Sequence, residues 1–109
     1  MNDVLIVLCT FPGIAEARQV GMALVERQLA ACVNLLPAVE SIYRWQNKLE
    51  STAEVLAIFK TSREIYPEFE TVLTALHPYE VPEIIALAPD QIAAPYHLWL
   101  LAQVPPRNF

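Results

Sequence analysis

The sequence predicts an α+β fold, and three observations predict it. Runs rich in Val and Ile alternate with runs whose apolar residues recur at helical spacing. Proline, glycine and asparagine divide those runs. The order of segments is strand-helix-strand, strand-helix-strand, then a short helix. That order is the ferredoxin-like split βαβ sandwich, βαββαβ with a short C-terminal helix added. The chain has 109 residues, which allows one domain over residues 1–109.

Residues 4–10 are continuously apolar and read as a strand buried on both faces. Pro12-Gly13 breaks the run. Ile14, Ala17, Val20, Leu24 and Leu29 then recur at helical spacing, with Glu16, Arg18, Arg27 and Gln28 falling elsewhere. Residues 31–36 return to strand character, and Pro37 predicts a bulge or an edge position. In residues 39–45, Val39, Ser41, Tyr43 and Trp45 share one face. Gln46-Asn47 predicts a tight hairpin turn before a second long strand over residues 48–61. Thr61-Ser62-Arg63-Glu64 fits a capping box, with Thr61 as cap and Glu64 reaching back. The helix behind it carries Ile65, Phe69, Val72, Leu73 and Leu76 on one stripe, and His77-Pro78 ends it. Residues 84–88 form a last short strand. Pro95 starts the final helix with Tyr96, Trp99 and Leu100, and residues 104–109 form an extended tail.

Composition narrows the function. Apolar residues make up 55% of the chain and charged residues 17%, which excludes intrinsic disorder. No apolar run approaches the roughly 20 residues of a membrane span. Seven basic against twelve acidic residues give a net charge of −5, so nucleic acid is a poor partner and cations are a better one. Asn2-Asp3 lacks the basic start of a secretory leader. Cys9 and Cys32 therefore read as reduced thiols of a cytoplasmic protein. Both alternate sets of the first strand are apolar, and so are both sets of residues 55–59. Two helices cover only one face of the sheet, so a second copy of the chain is expected on the other.

Few residues carry chemistry. Cys9 closes the first strand, where a thiolate reaches a soft metal, although a small core hydrophobe is the commoner role. His77 at a helix end is either a ligand or a cap for the last carbonyls. Pro78 and Pro82 stiffen a loop that presents Tyr79, Glu80 and Glu83, which suits a ligand or cation cleft as well as a rigid connector. Tyr43-Arg44-Trp45 at the hairpin tip has the composition of an interface. Lys60 holds an anion or, more commonly, pairs with an acidic residue. No nucleophile elbow, phosphate loop or zinc spacing appears, so no enzymatic activity is expected.

Taken together, Leu8-Cys9-Thr10, Leu29-Ala30-Ala31-Cys32-Val33-Asn34, Ser41-Ile42-Tyr43-Arg44-Trp45-Gln46-Asn47-Lys48, Glu54-Val55, Lys60-Thr61 and His77-Pro78-Tyr79-Glu80-Val81-Pro82-Glu83 resemble the CutA family of divalent-cation tolerance proteins. The resemblance runs from about Val4 to Leu100. It implies a tight homotrimer with an arrangement like that of the PII signalling proteins, in which the hairpin of residues 31–61 reaches the next subunit. It also implies binding of copper or another divalent cation, with no obligatory cofactor. In some bacterial members copper is assigned to a cysteine that matches Cys9 and to two adjacent histidines. The second of these matches His77, and Leu76 replaces the first. The alternative is a regulatory or scaffold trimer whose clefts between subunits hold a small ligand, lined by Tyr43, Arg44, Trp45, Lys60, Tyr79, Glu80 and Glu83.

Overall fold

The computed structural model describes residues 3–107. Its elements are β1 (Val4–Phe11), α1 (Ile14–Glu26), β2 (Cys32–Trp45), β3 (Lys48–Ser62), α2 (Tyr66–Leu76), β4 (Ile84–Leu87) and α3 (Ala94–Gln103). The strands form one antiparallel sheet in the order β2-β3-β1-β4. This is the expected split βαβ topology, with β3 inserted between β1 and β2.

Period-two alternation sorts the sheet into two faces. Leu5, Val7, Cys9 and Phe11 of β1 and Val55, Ala57 and Phe59 of β3 are buried on one of them. The stripes of α1 (Ala17, Val20, Leu24) and α2 (Phe69, Leu73) complete this core. Phe59 meets Phe69 edge to face at 5.2 Å, a pairing worth about 1 kcal/mol beyond its area. Leu29, expected on the helical stripe, lies beyond the end of α1. Gln28 reverses the chain at φ 59, and the turn drops Leu29 into the same core.

The second face carries Ile6, Leu8, Leu56, Ile58, Ile85 and Leu87, aligned across β3, β1 and β4. α3 meets it at the Cys32 end, where the Tyr96 hydroxyl stands 3.5 Å from the Cys32 thiol. The chain's own third helix thus covers part of a surface expected to need a second copy. The remainder stays open: Leu36, Ile85 and Leu87 are exposed.

Pro37 marks both features it predicted. β2 is an edge strand, and its register slips between Leu36 and Val39, where Ala38 takes φ 64. Opposite Leu56 and Glu54, the extra residue is a β-bulge. It moves Val39, Ser41, Tyr43 and Trp45 onto the second face of the sheet, on one side as expected. Gln46 and Asn47, at φ 50 and 64, close the ribbon with a two-residue turn that needs both residues left-handed. β1 stops pairing at Val55, so the ribbon from Glu54 outward stands clear of the sheet.

The capping box does not form. Thr61 pairs with Leu5 inside the sheet, and its hydroxyl donates to the Leu29 carbonyl at 2.7 Å. Ser62 accepts from the Ile65 amide at 3.0 Å in the turn ahead of the helix, and α2 begins at Tyr66 with Ile65 as its cap residue and no side-chain cap bond. Sheet pairing outweighs the local motif. Pro95 falls in the first turn of α3, one residue later than expected. The tail folds back as far as it is described, with Val104 buried and Arg107 donating to the Arg27 carbonyl and to Glu68. Asn108 and Phe109, part of the expected tail, lie outside the described residues. So does Asn2, part of the expected leaderless start.

Candidate functional site

α2 ends at Leu76 because the residue before Pro78 avoids helical geometry, and His77 is extended at φ −72, ψ 138. That conformation lays the imidazole over the end of β1, stacked on Phe11 at 4.5 Å. Nδ1 accepts from the Tyr79 amide at 3.0 Å, so the ring proton sits on Nε2, which donates to the Thr10 carbonyl at 2.8 Å. Burial pushes the pKa of His77 down, against the opposing pull of the Thr10 hydrogen bond and the Glu54 charge. The ring is neutral.

Cys9 is fully buried, and its thiol donates to the same Thr10 carbonyl at 3.8 Å. Burial, followed by the Glu83 and Glu54 charges, pushes the thiol up to about 12. The two expected ligands, distant in sequence, therefore meet at one carbonyl oxygen. Both imidazole nitrogens are in use and the sulfur keeps its proton. Among the described residues, no three His, Cys, Asp or Glu side chains group to hold a metal ion. Leu76, in the place of the first family histidine, is exposed.

Past His77 the chain crosses to the second face of the sheet. Tyr79 follows the imidazole at 4.9 Å between ring centroids, and its hydroxyl donates to Glu54 Oε2 at 2.5 Å. Burial, then the Glu54 hydrogen bond, pushes the phenol pKa up, so Tyr79 stays a donor. Between this segment and the ribbon lies a cleft of about 540 Å³. Thr10, Ser41, Ile42, Tyr43, Trp45 and Glu54 line one side, and Tyr79, Glu80, Val81 and Glu83 line the other. The Tyr43 hydroxyl is held 3.2 Å from Thr52 Oγ1 across the ribbon.

Of the residues expected around a cleft between subunits, the structure brings Tyr43, Trp45, Tyr79, Glu80 and Glu83 together within one chain. It leaves out two. Arg44 alternates onto the back of the ribbon, opposite Leu49. Lys60 sits beside Cys32 at the far end of the sheet and bonds the Asn34 amide oxygen, not an acidic partner. Glu54 was missing from the expected set. Its signal in the sequence is a carboxylate inside the apolar run of residues 53–59, on the face shared by Leu56 and Ile58.

Comparison with known proteins gives this arrangement a family. The profile described as CutA1 divalent ion tolerance protein matches residues 5–103. The chain belongs to the CutA1 family. The divalent-cation tolerance protein CutA of Thermus thermophilus is 44% identical over 95 residues, which is 87% of this chain and 92% of that one. Protein CutA of mouse is 43% identical over 91 residues, 84% of this chain but 51% of its own length. The chain thus spans about half the length of the mouse and human CutA proteins. The crystal structure of CutA from Xylella fastidiosa superposes with a TM-score of 0.92 at 37% identity, covering 94% of this chain and 99% of that one. The CutA1 structure from Thermus thermophilus gives 0.90 at 41% identity, with the same coverage. The CutA1 fold is therefore common to this chain and to those structures, in agreement with the family that the sequence motifs resemble.

Proposed function

We propose that the chain acts in divalent-cation tolerance as a cytoplasmic homotrimer, a binding protein and not an enzyme, and that it takes a soft ion such as copper at Cys9 and His77. One observation carries the reading: the fold delivers a thiol and an imidazole to a single point, the Thr10 carbonyl. Sulfur and imidazole nitrogen are the donors that select copper over harder ions. Two free cysteines suit a reducing compartment. The open apolar face and the protruding ribbon favour assembly, since an isolated two-stranded ribbon is marginal in water.

Binding here competes with protons and with hydrogen bonds. The metal takes the thiolate, so one proton leaves for each ion bound, and Nε2 or Nδ1 must release its present partner. Release of Nδ1 frees the Tyr79 amide and so loosens the wall of the cleft. Anaerobic titration with Cu(I) against a chromogenic chelator tests the reading. One ion per chain is expected, with affinity rising about tenfold per pH unit below the thiol pKa. Cys9→Ser should lower affinity by at least about a hundredfold, and His77→Gln by about tenfold. Equal affinity in the wild type and both variants would refute the assignment.

A further inference from the structure

We propose that occupation of the Cys9–His77 pair by a soft cation expels the Tyr79 amide from His77 and releases residues 78–83, so that the pair works as a switch and not only as a store. This inference rests on the metal reading given above and adds to it how occupancy is controlled and reported.

The His77 ring has the wrong neighbour for a ligand. A histidine bound to a metal through one nitrogen carries its proton on the other and donates it to an acceptor. At His77 the Tyr79 amide, itself a donor, stands 3.0 Å from Nδ1. That contact suits only the tautomer with its proton on Nε2, where the Thr10 carbonyl accepts it at 2.8 Å. Coordination through Nδ1 displaces the amide directly. Coordination through Nε2 sends the ring proton to Nδ1, and two donors then face each other. Both routes break the same hydrogen bond, so the outcome does not depend on which nitrogen is used.

Tyr79 is clamped at two points. Its amide is held by His77 and its hydroxyl by Glu54 Oε2, while its ring lies 4.9 Å from the imidazole. All of these contacts are made within one chain, so no part of the clamp has to come from another subunit. His77 is only 7% exposed, so an amide left facing it gains little water in exchange for the lost acceptor. Such a donor is destabilising where it stands, and Tyr79 leaves together with the segment it anchors. The closed clamp and the occupied ring exclude each other. Apparent affinity is therefore lowered by the fraction of chains in which the clamp is closed, and loosening it from the Glu54 side must tighten binding.

Cu(I) alone is the probe, added anaerobically to the full chain in its native assembly, with exchange of individual amides followed by nuclear magnetic resonance. At saturation the Tyr79 amide should exchange about tenfold faster. The Phe69 amide, bonded to the Ile65 carbonyl at the start of α2, should keep its rate. Cys9→Ser should abolish the response at the same Cu(I) concentration. Tyr79→Phe removes the hydroxyl bond and leaves both ligands and every carboxylate in place. It should speed exchange of the residue-79 amide without metal and raise Cu(I) affinity several-fold. A tyrosine that only supports the fold would leave affinity unchanged or lower it. Should Tyr79→Phe not fold, Pro78→Ala, which frees the backbone between ring and clamp, should raise affinity in the same direction. One Cu(I) bound per chain with unchanged Tyr79 exchange would overturn the switch and leave the metal assignment standing. Unchanged or lower affinity in the loosened variant would do the same. Absence of Cu(I) binding in chelator competition would remove both.

Discussion

The His77 ring has no idle atom: the Tyr79 amide occupies one nitrogen and the Thr10 carbonyl the other. Protonating Nδ1 breaks the first of these bonds, and burial already disfavours the charge. An unfolded histidine takes up its proton near pH 6.5, whereas folded His77 does so only at lower pH. Between those two values the unfolded chain binds more protons, so stability is full above about pH 6.5 and falls as pH drops through the folded value. Glutamine at this position donates to Thr10 and accepts from Tyr79 without titrating. His77→Gln should therefore flatten the urea midpoint between about pH 6.5 and the carboxylate range. An unchanged slope in the variant would remove His77 as its source. At this scale the sequence was informative where chemistry is local. His77 was placed at the end of a helix, where the structure has it, whereas Cys9, expected to close the first strand, lies inside β1, paired with Ala57 and Ile84 and fully buried. Glu54 was not legible, because its importance comes from Tyr79 reaching it across the chain.

Among the elements, the bulge in β2 carries an identifiable strain. Ala38 is exposed and held at φ 64, a left-handed conformation that costs a residue with Cβ about 1–2 kcal/mol. Glycine has no such penalty but loses about 0.5–1 kcal/mol more backbone entropy on folding. Ala38→Gly should therefore stabilise the chain by up to about 1 kcal/mol, seen as a higher urea midpoint at unchanged slope. A lower midpoint would mean that the Ala38 methyl contributes packing worth more than the strain. Pro37 and Gln46-Asn47 announced the bulge and the turn because backbone chemistry there is dictated by one or two residues. The segment 61–64 misled because it satisfies a helix-start pattern while Thr61 is held in the sheet opposite Leu5. Local motifs are legible until a distant strand claims the same residue.

For the molecule as a whole, the proposed trimer rests on apolar surface that one chain leaves uncovered. Ile85 lies on the second face and is 49% exposed, so a charge there should do little to the subunit's own core. Ile85→Glu should keep the secondary structure of the wild type while shifting its sedimentation from three chains towards one. A wild-type chain that sediments as a monomer would contradict the assembly, and an intact trimer in the variant would place the interface elsewhere. The need for a cover was legible in the double apolar alternation of β1 and β3. The share of it met by α3 was not, because docking of that helix depends on the burial of Leu100 and Val104, which lie far in sequence from the strands they cover. The four-stranded topology followed from segment order alone. The cleft did not, since it arises only where the ribbon and the segment after His77 face each other.

The slip between Leu36 and Val39 also works as a frameshift does in a message. Before it, the even-numbered residues of β2 face the open side of the sheet; after it, the odd-numbered ones do. Body and ribbon thus read the same strand in opposite phase, and one residue of chain length sets the phase. Removing Ala38 would leave every letter beyond it intact and turn Tyr43 and Trp45 to the reverse of the page.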